Sequence, residues 1–436
     1  MFVFHLCILS CIICNDAQGA DFKFWHGLTG SGADAVEALC TAFNAEQDRD
    51  RVTCVSQGSY DNVMQMTVAA YRAGKQPAIA QVLDIGTLDM LLSNAIYPLH
   101  QLMSDTGYED GAGGYLPAIA SLYATGDGRL AALPFPATTL VLYANQDKLD
   151  QAGVPADLET VEAFEGALQL LSAHGENCPF VTDLHPWRLL DQFSAVHGLA
   201  VATRSNGHDG LDARYRLDSP LLGRELDDYK RWHAAGWLRL PSETRAGDMT
   251  NAFATGECAL VMDSSGAYGN IRAAHGRFPV SIRLLPVYAG TERHGSAVGG
   301  ASLWVMKGFS SATYAGVAAF LNFLRKPENQ LFLTERMGAL PVTTDALHWA
   351  RDRGLLAQPA FGGVDVAIAS MSYPTAKGGA GIRLGFYSQF RDIWREELTQ
   401  AFFGQKPLSA ALGETAERGD AELTRFKRTF VGVAAP

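Results

Sequence analysis

Arg391 is the charged residue whose position most directly suggests ligand binding. The segment from Tyr387 to Phe402 has large apolar side chains at every fourth residue, which predicts an amphipathic helix. Arg391 falls in the first turn of this helix, where a cation opposes the helix dipole at a cost of roughly 0.3–1 kcal/mol. An anionic ligand would compensate that charge, and so would a neighbouring carboxylate. The sequence leaves both possibilities open.

Two other stretches place main-chain N–H groups at the ends of predicted strands. Asp263-Ser264-Ser265-Gly266 ends a buried strand and begins a helix, where the hydroxyl groups and the first N–H groups favour an anion. Val298-Gly299-Gly300-Ala301 leaves bare backbone at the start of another strand. Each stretch also has an ordinary explanation, because serine is a common helix cap and glycines often satisfy a turn.

The known catalytic and metal-binding motifs that we sought are absent from the sequence. It contains no G-x-S-x-G, H-E-x-x-H or G-x-x-x-x-G-K-[ST] pattern. Gly30-Ser31-Gly32 lacks the third glycine of a dinucleotide-binding motif, and no two histidines have metal-ligand spacing on one predicted helix. No acidic pair can be singled out as a glycosidase acid and base. The sequence therefore predicts a binding protein with no enzymatic activity, no cofactor and no metal.

The elements that position these residues alternate between strand and helix. Asp21 to Trp25, Arg51 to Ser56 and Ala78 to Leu83 are predicted strands separated by helices, the second of which is predicted to begin at the cap Asp61. This alternation is typical of parallel α/β layers. Helices predicted in the middle of the chain are Val161 to Ala173, Trp187 to Val196 and Leu222 to Ala235.

The length of the chain, 436 residues, favours two domains over one hydrophobic core. Predicted strands from Leu130 to Pro134 and from Thr139 to Ala144 flank a point where the chain can cross between lobes, and Val280 to Pro286 is a second such point. The absence of a low-complexity linker favours lobes that are hinged together. The predicted division is a signal peptide at 1–20, a first lobe at 21–135 and 286–337, and a second lobe at 136–285 and 338–436.

Charge and the amino-terminal segment limit the possible partners and compartment. The formal net charge is −11 and no basic run is present, which argues against nucleic-acid binding. Phe2 to Asn15 is almost continuously apolar and is followed by small residues, as in a secretory signal peptide cleaved near Gly19 or Ala20. About fourteen apolar residues are too few to span a bilayer, which needs roughly twenty. The mature chain is therefore expected to be exported and soluble.

Four cysteines remain after such a cleavage: Cys40, Cys54, Cys178 and Cys258. In an exported chain they permit two disulfides with three possible connectivities. Cys40 near the end of a predicted helix and Cys54 on the next strand are plausible partners. Buried free thiols are the alternative.

Several stretches also carry a family resemblance that covers essentially the whole mature chain. The chain resembles the maltose-binding-protein-like family of periplasmic solute-binding proteins, and within it the members that serve glycerol-3-phosphate ABC transporters. The stretches that carry the resemblance are Phe24-Trp25-His26, Gln57-Gly58-Ser59-Tyr60, Pro77 to Val82, Ser264-Ser265-Gly266, Gly299 to Met306, Arg325-Lys326-Pro327-Glu328-Asn329 and Gly381-Ile382-Arg383-Leu384-Gly385. The resemblance implies an α/β fold of two lobes, a ligand cleft between them, and delivery to permease subunits powered by a cytoplasmic ATPase.

The resemblance also implies a set of ligand contacts in this sequence. The family's contacts fall on Tyr60, Asp84, Thr138, Ser264, Gly300 and Arg391, with Trp187 as an aromatic wall. In this arrangement Ser264, the Gly300 N–H and Arg391 would hold a phosphate through charge-assisted hydrogen bonds. Asp84 would accept hydrogen bonds from glycerol hydroxyls.

Four departures from the family pattern affect the expected ligand. Asp84 replaces a Glu, Thr138 replaces a Ser, Leu184 replaces a Trp three residues before Trp187, and Ala339 replaces a Tyr. The loss of two rings predicts a roomier pocket, which suits a glycerophosphodiester such as glycerophosphocholine better than glycerol 3-phosphate. Its trimethylammonium group would lie against an aromatic ring with a cation–π attraction of roughly 0.5–2 kcal/mol.

Other functions are compatible with parts of the sequence. A carbohydrate-binding protein of the same fold would stack aromatic rings on sugar faces and would not need Arg391. A hydrolase of glycerophosphodiesters would require metal ligands that the sequence does not assemble. A structural adhesion protein would have no use for a cation at the start of that helix.

Overall fold

A computed structural model describes residues 19–109, 114–274, 278–375 and 381–430. The predicted signal peptide lies outside the described residues, apart from Gly19 and Ala20. Within the described ranges, every helix is too short or too polar to cross a bilayer.

The strands occur in two groups along the chain. They are β1 (Asp21–His26), β2 (Arg51–Ser56), β3 (Ile79–Leu83), β4 (Ile96–Tyr97), β5 (Leu133–Thr138), β6 (Leu140–Asn145), β7 (Phe180–Val181), β8 (Leu238–Arg239), β9 (Leu260–Ser264), β10 (Val280–Arg283) and β11 (Gly299–Met306).

Helices cover both sheets and the carboxyl-terminal part of the chain. They are α1 (Gly30–Glu46), α2 (Tyr60–Arg72), α3 (Thr87–Leu92), α4 (Leu99–Asp105), α5 (Pro117–Tyr123), α6 (Gln146–Gln151), α7 (Val161–Ala173), α8 (Phe193–Val196), α9 (Thr203–Asn206), α10 (Pro220–Ala234), α11 (Met249–Ala254), α12 (Tyr268–Ala274), α13 (Ser311–Arg325), α14 (Pro327–Met337), α15 (Thr344–Asp352), α16 (Val364–Ser372), α17 (Tyr387–Phe402) and α18 (Leu408–Thr429).

The first sheet has the strand order β2-β1-β3-β11-β4, with β5 also paired to β11. β1, β2 and β3 are parallel, as the alternation of strands and helices predicts, whereas β11 joins β3 in the antiparallel direction. β3 is buried on both faces over most of its length, which explains its continuous apolar run. The first core, around Phe24, Phe135 and Phe320, lies against this sheet.

The second sheet has the order β10-β6-β9-β7-β8. β6 is antiparallel to β9 and β10, and β7 is parallel to β8 and β9. The second core, on this sheet, includes Phe164, Phe180 and Trp394. A third core includes Tyr143 and Phe253. The chain passes from the first sheet to the second at Thr139, between β5 and β6. The two sheets confirm the α/β fold class.

Both pairs of cysteines are joined. Cys40 on α1 is bonded to Cys54 on β2, which is the pairing that the sequence favours, and Cys178 is bonded to Cys258. The second disulfide links the residues just before the parallel strands β7 and β9. Free thiols, the alternative for these cysteines, are therefore excluded.

The start of α2 differs from the prediction. The cap is Ser59, whose side chain accepts a hydrogen bond from the N–H of Asn62, and the helix begins at Tyr60. Asp61 lies inside the first turn, where its negative charge favours the helix dipole. The prediction of Asp61 as the cap is wrong, because serine and aspartate both carry helix-starting signals and the serine comes first.

Candidate ligand-binding site

A small cavity with a volume of about 30 Å³ lies where the first and second cores meet. Leu122 of the first core forms part of its wall, and Trp187 and Leu199, which pack on the second core, form another part. Asp84 and Asp191 also line it. A pocket with apolar walls and a few polar groups is typical of a small-molecule site.

Arg391 lies beside this cavity and is held by a carboxylate that lines it. The Nη2 of Arg391 donates to Oδ2 of Asp191 at 2.7 Å, and the two side chains are 9% and 6% exposed. The hydroxyl of Tyr387 donates to the other oxygen of Asp191 at 2.5 Å. The Nε of Arg391 is buried without a hydrogen-bond partner among the described residues. The charge of Arg391 is thus met by a carboxylate, one of the two possibilities that the sequence leaves open.

The position of Arg391 in its helix requires a correction. α17 begins at Tyr387 and ends at Phe402, as the sequence predicts, and Arg391 is therefore its fifth residue. The fifth residue lies at the start of the second turn, where the effect of the helix dipole is already weaker. Burial and pairing with Asp191, more than the dipole, determine the electrostatics of Arg391.

Asp84 lies close to Arg391, and Tyr60 lies close to Asp84. Asp84 opens a 3₁₀ turn, Asp84–Gly86, directly after β3, and Tyr60 is the first residue of α2. Burial raises the pKa of Asp84 to about 6, and the positive charge of Arg391 opposes that rise. Burial, and then the charge of Asp84, raise the pKa of the Tyr60 hydroxyl. Burial and the charge of Asp84 also raise the pKa of the Tyr123 hydroxyl. This hydroxyl is buried without a hydrogen-bond partner among the described residues.

A second group of predicted residues lies where β5, β9 and β11 meet. Thr138 at the end of β5 pairs with Gly299, and Gly300 pairs with Ala137. Gly300 has a φ of +114°, and a Cβ there would lie 2.1 Å from the carbonyl oxygen of Pro136. A side chain at this position would therefore clash with the neighbouring strand, which explains the glycine.

Ser264 and Trp187 complete this second group. The Oγ of Ser264 accepts the N–H of Gly266 at 3.1 Å, as an ordinary cap of the 3₁₀ turn Ser265–Ala267 does. A Cβ on Gly299 would lie 2.9 Å from Cζ2 of Trp187, so the indole rests on bare backbone. Trp187 therefore lines the cavity and also contacts the strand that carries Gly300.

The structure thus brings the predicted residues into two groups. In the first group Asp84 interacts with both Tyr60 and Arg391. Thr138, Ser264 and Gly300 lie in the second, and Trp187 touches the second group and shares the cavity with Asp84. Leu184 packs against the second core, and its carbonyl accepts the indole N–H of Trp394 at 3.2 Å. Ala339 is buried in the first core. The role of each residue in ligand binding stays a prediction.

Asp191 and Tyr387 are site residues that the sequence reasoning missed. Asp191 follows Trp187 by four residues, and Tyr387 precedes Arg391 by four. Residues four apart share one face of a helix, so each lies on the face of a residue already identified. That spacing is the signal that would have found them.

The raised pKa of Asp84 predicts a pH-dependent stability change in the Asp84→Asn variant. The pKa is higher in the folded than in the unfolded chain, so the cost of ionising Asp84 grows from about pH 4 and is complete above about pH 6. At pH 7.5 the variant should have a free energy of unfolding higher than the wild type by up to about 3 kcal/mol. At pH 4 the difference should fall below about 1 kcal/mol. Urea unfolding at both pH values measures it, and a variant that is less stable at pH 7.5 would contradict this assignment.

Comparison with known proteins shows which family this architecture belongs to. The sequence model of a family described as bacterial extracellular solute-binding protein matches residues 38–357. A protein of Pectobacterium atrosepticum, named sn-glycerol-3-phosphate-binding periplasmic protein UgpB, is 33% identical over 430 residues, covering 97% of this chain and 96% of its own. The protein of the same name from Escherichia coli O6:K15:H31 is 32% identical over 424 residues, with 96% of each chain covered.

Solved structures give the same architecture. UgpB from Mycobacterium tuberculosis, in complex with glycerophosphocholine, has a TM-score of 0.77 and 22% identity, covering 93% of this chain and 99% of its own. The GacH receptor of Streptomyces glaucescens, solved unliganded and with acarbose, has a TM-score of 0.76 and 18% identity, with coverages of 93% and 99%. At these identities the likeness establishes the two-lobed fold.

Proposed function

Because the chain belongs to the bacterial extracellular solute-binding proteins, we propose that it captures a phosphorylated glycerol compound in the periplasm for an ABC importer. The observation that carries the proposal is the buried Arg391–Asp191 pair beside a cavity between two cores. It occurs in a chain that is similar, over nearly its full length, to proteins named for binding sn-glycerol 3-phosphate. The permease and ATPase of the importer are its partners, and the protein acts as a monomer.

The two lobes correspond to the two sheets. The first lobe is 21–135 and 286–337, and the second is 136–285 and 338–436. β6 and β10 lie in the second sheet, and β11 lies in the first. The first boundary falls inside β5, three residues before that strand ends at Thr138. The cavity wall contains residues from both lobes, so a ligand that contacts both walls shifts the population toward the closed form.

Within this class of ligands, the protein prefers a glycerophosphodiester. A diester such as glycerophosphocholine carries one negative charge on its phosphate, whereas the monoester of glycerol 3-phosphate carries about −1.5 to −2 near pH 7. Trp187 lines the cavity and offers a ring for the trimethylammonium group. Leu184 and Ala339 pack in the two cores and do not line the cavity, so the preference for a diester rests on the phosphate charge and on Trp187.

Calorimetric titration tests the proposal. The purified mature protein should bind glycerophosphocholine more tightly than glycerol 3-phosphate, and maltose should give no signal. Tighter binding of glycerol 3-phosphate would contradict the preference for a diester. Binding of maltose alone would contradict the proposed function and favour the carbohydrate-binding alternative.

A further inference from the structure

We infer that Asp191 determines the charge of the phosphate that this site accepts, by neutralising Arg391 and so favouring a phosphodiester over a phosphomonoester. This inference rests on the proposed function and names a residue that controls its specificity. Asp191 acts through Arg391 and is therefore a positioning residue.

Asp191 links the cation to the cavity. Asp191 is one of the residues that line the cavity, and Arg391, which is not among them, is its ion-pair partner. One carboxylate oxygen is held by Arg391 and the other by the hydroxyl of Tyr387. With both oxygens bonded and 6% of the side chain exposed, Asp191 has no room to turn away when a ligand enters. The positive charge that a ligand meets is therefore already balanced.

A second carboxylate gives the charged groups at the cavity a net negative formal charge. Asp84 lines the same cavity from the turn that follows β3, and it interacts electrostatically with both Arg391 and Asp191. Counting formal charges, two carboxylates face one guanidinium. A ligand phosphate with nearly two negative charges is repelled in such a site, and the repulsion is strong because little water screens it. A phosphate with one charge is repelled about half as much.

The isosteric variant Asp191→Asn tests the inference with two probes that both lack a cationic group. The probes are glycerol 3-phosphate, a monoester, and glycerophosphoglycerol, a diester. Removing the carboxylate charge exposes the charge of Arg391, so the affinity for the monoester should rise at least about tenfold relative to that for the diester. Calorimetric titration at pH 7.5 gives this ratio for variant and wild type. An unchanged ratio would overturn the inference.

The matched control is Glu397→Gln. Glu397 is also a buried carboxylate in ion pairs, with Lys406 and Arg418, and it lies on the same helix as Arg391 but does not line the cavity. Its loss should leave the affinity ratio unchanged. A purely structural role for Asp191 would weaken both probes equally, as general loosening of the lobe does, and would also overturn the inference.

The wild type provides a second measurement in case Asp191→Asn does not fold. Between pH 5 and pH 7.5 the monoester gains its second negative charge, since its second pKa is about 6, whereas the diester does not change. The affinity for the monoester should therefore fall relative to that for the diester as the pH rises. The charged and titratable protein groups around the pair are Asp84, Asp191, Arg391, Tyr387, Tyr215 and His185, with Tyr60 and Tyr123 beside Asp84. Ionisation of Asp84, whose pKa is about 6, acts in the same direction, because it repels the monoester more strongly than the diester. A constant ratio would overturn the inference, whereas failure of the wild type to bind either probe would refute the proposed function itself.

Discussion

The Arg391→Met variant should bind glycerophosphocholine at least about a hundredfold more weakly than the wild type. Arg391 is the cation beside the cavity, and its Nε lacks a partner among the described residues. Methionine retains the length and apolar contacts of the side chain but removes every donor. Calorimetric titration measures the loss.

The same substitution should also destabilise the protein, because Asp191 would remain buried without its cation. Breaking one side of a buried ion pair typically costs 3–5 kcal/mol. The double variant Arg391→Met/Asp191→Asn should recover most of the free energy of unfolding without recovering binding. This separates the ligand contact from the structural pair.

Arg395→Met, which removes an exposed arginine one turn further along α17, is the control and should behave as the wild type. A folded Arg391→Met variant with full affinity would contradict the role of Arg391.

The Arg383→Met variant should bind ligand about ten- to a hundredfold more weakly, although Arg383 does not line the cavity. The Nη2 of Arg383 donates to the carbonyl oxygens of Ala124 at 2.8 Å and Leu122 at 3.3 Å, at the end of α5. α5 packs in the first core, whereas the next residue after Arg383, Leu384, packs in the second. The guanidinium therefore joins elements of the first and second cores, and its charge also suits the carboxyl end of a helix.

We expect this effect because Arg383 and α5 belong to different proposed lobes, so the contact should break when the lobes open. Its loss destabilises the closed form by the net value of charged hydrogen bonds, about 1.5–3 kcal/mol, and leaves the open form unchanged. Ligand dissociation should be faster, and small-angle X-ray scattering should show less compaction on adding ligand. Arg395→Met again serves as the control. An Arg383→Met variant with wild-type affinity and compaction would show that the contact does not favour closure.

Elements with a strong apolar period are predictable from this sequence. α7 and α17 have the bounds that the periodicity predicts, and β2 does as well. The helix predicted from Trp187 to Val196 is instead a π-helix, Trp187–Gln192, followed by α8. The prediction missed this division because the same side-chain spacing is compatible with more than one main-chain hydrogen-bond pattern. The predicted strand from Leu130 to Pro134 is instead β5, Leu133–Thr138, with two prolines. Proline is tolerated there because, among the described strands, β5 pairs with β11 alone, and its one further bridge, to Leu340, is made by Ala137.

The site is only partly predictable, for a different reason. Asp84 and Trp187 lie in the cavity wall, and the family resemblance points to both. The partner of Arg391 is 200 residues away in the sequence, and no local pattern joins Arg391 to Asp191. The dipole of α17 indicates that Arg391 needs a compensating charge but does not identify it. Folding brings the two side chains together through the packing of Trp394 and Leu190 in the second core.

A crystal structure of the protein with glycerophosphocholine would test most directly whether the lobes hold a phosphate through Arg391. Density for the ligand should fill the cavity between Asp84 and Trp187, with a phosphate oxygen within about 3.2 Å of a guanidinium nitrogen of Arg391. The trimethylammonium group should face the indole of Trp187. A phosphate bound out of reach of Arg391, with that side chain still occupied solely by Asp191, would contradict the account.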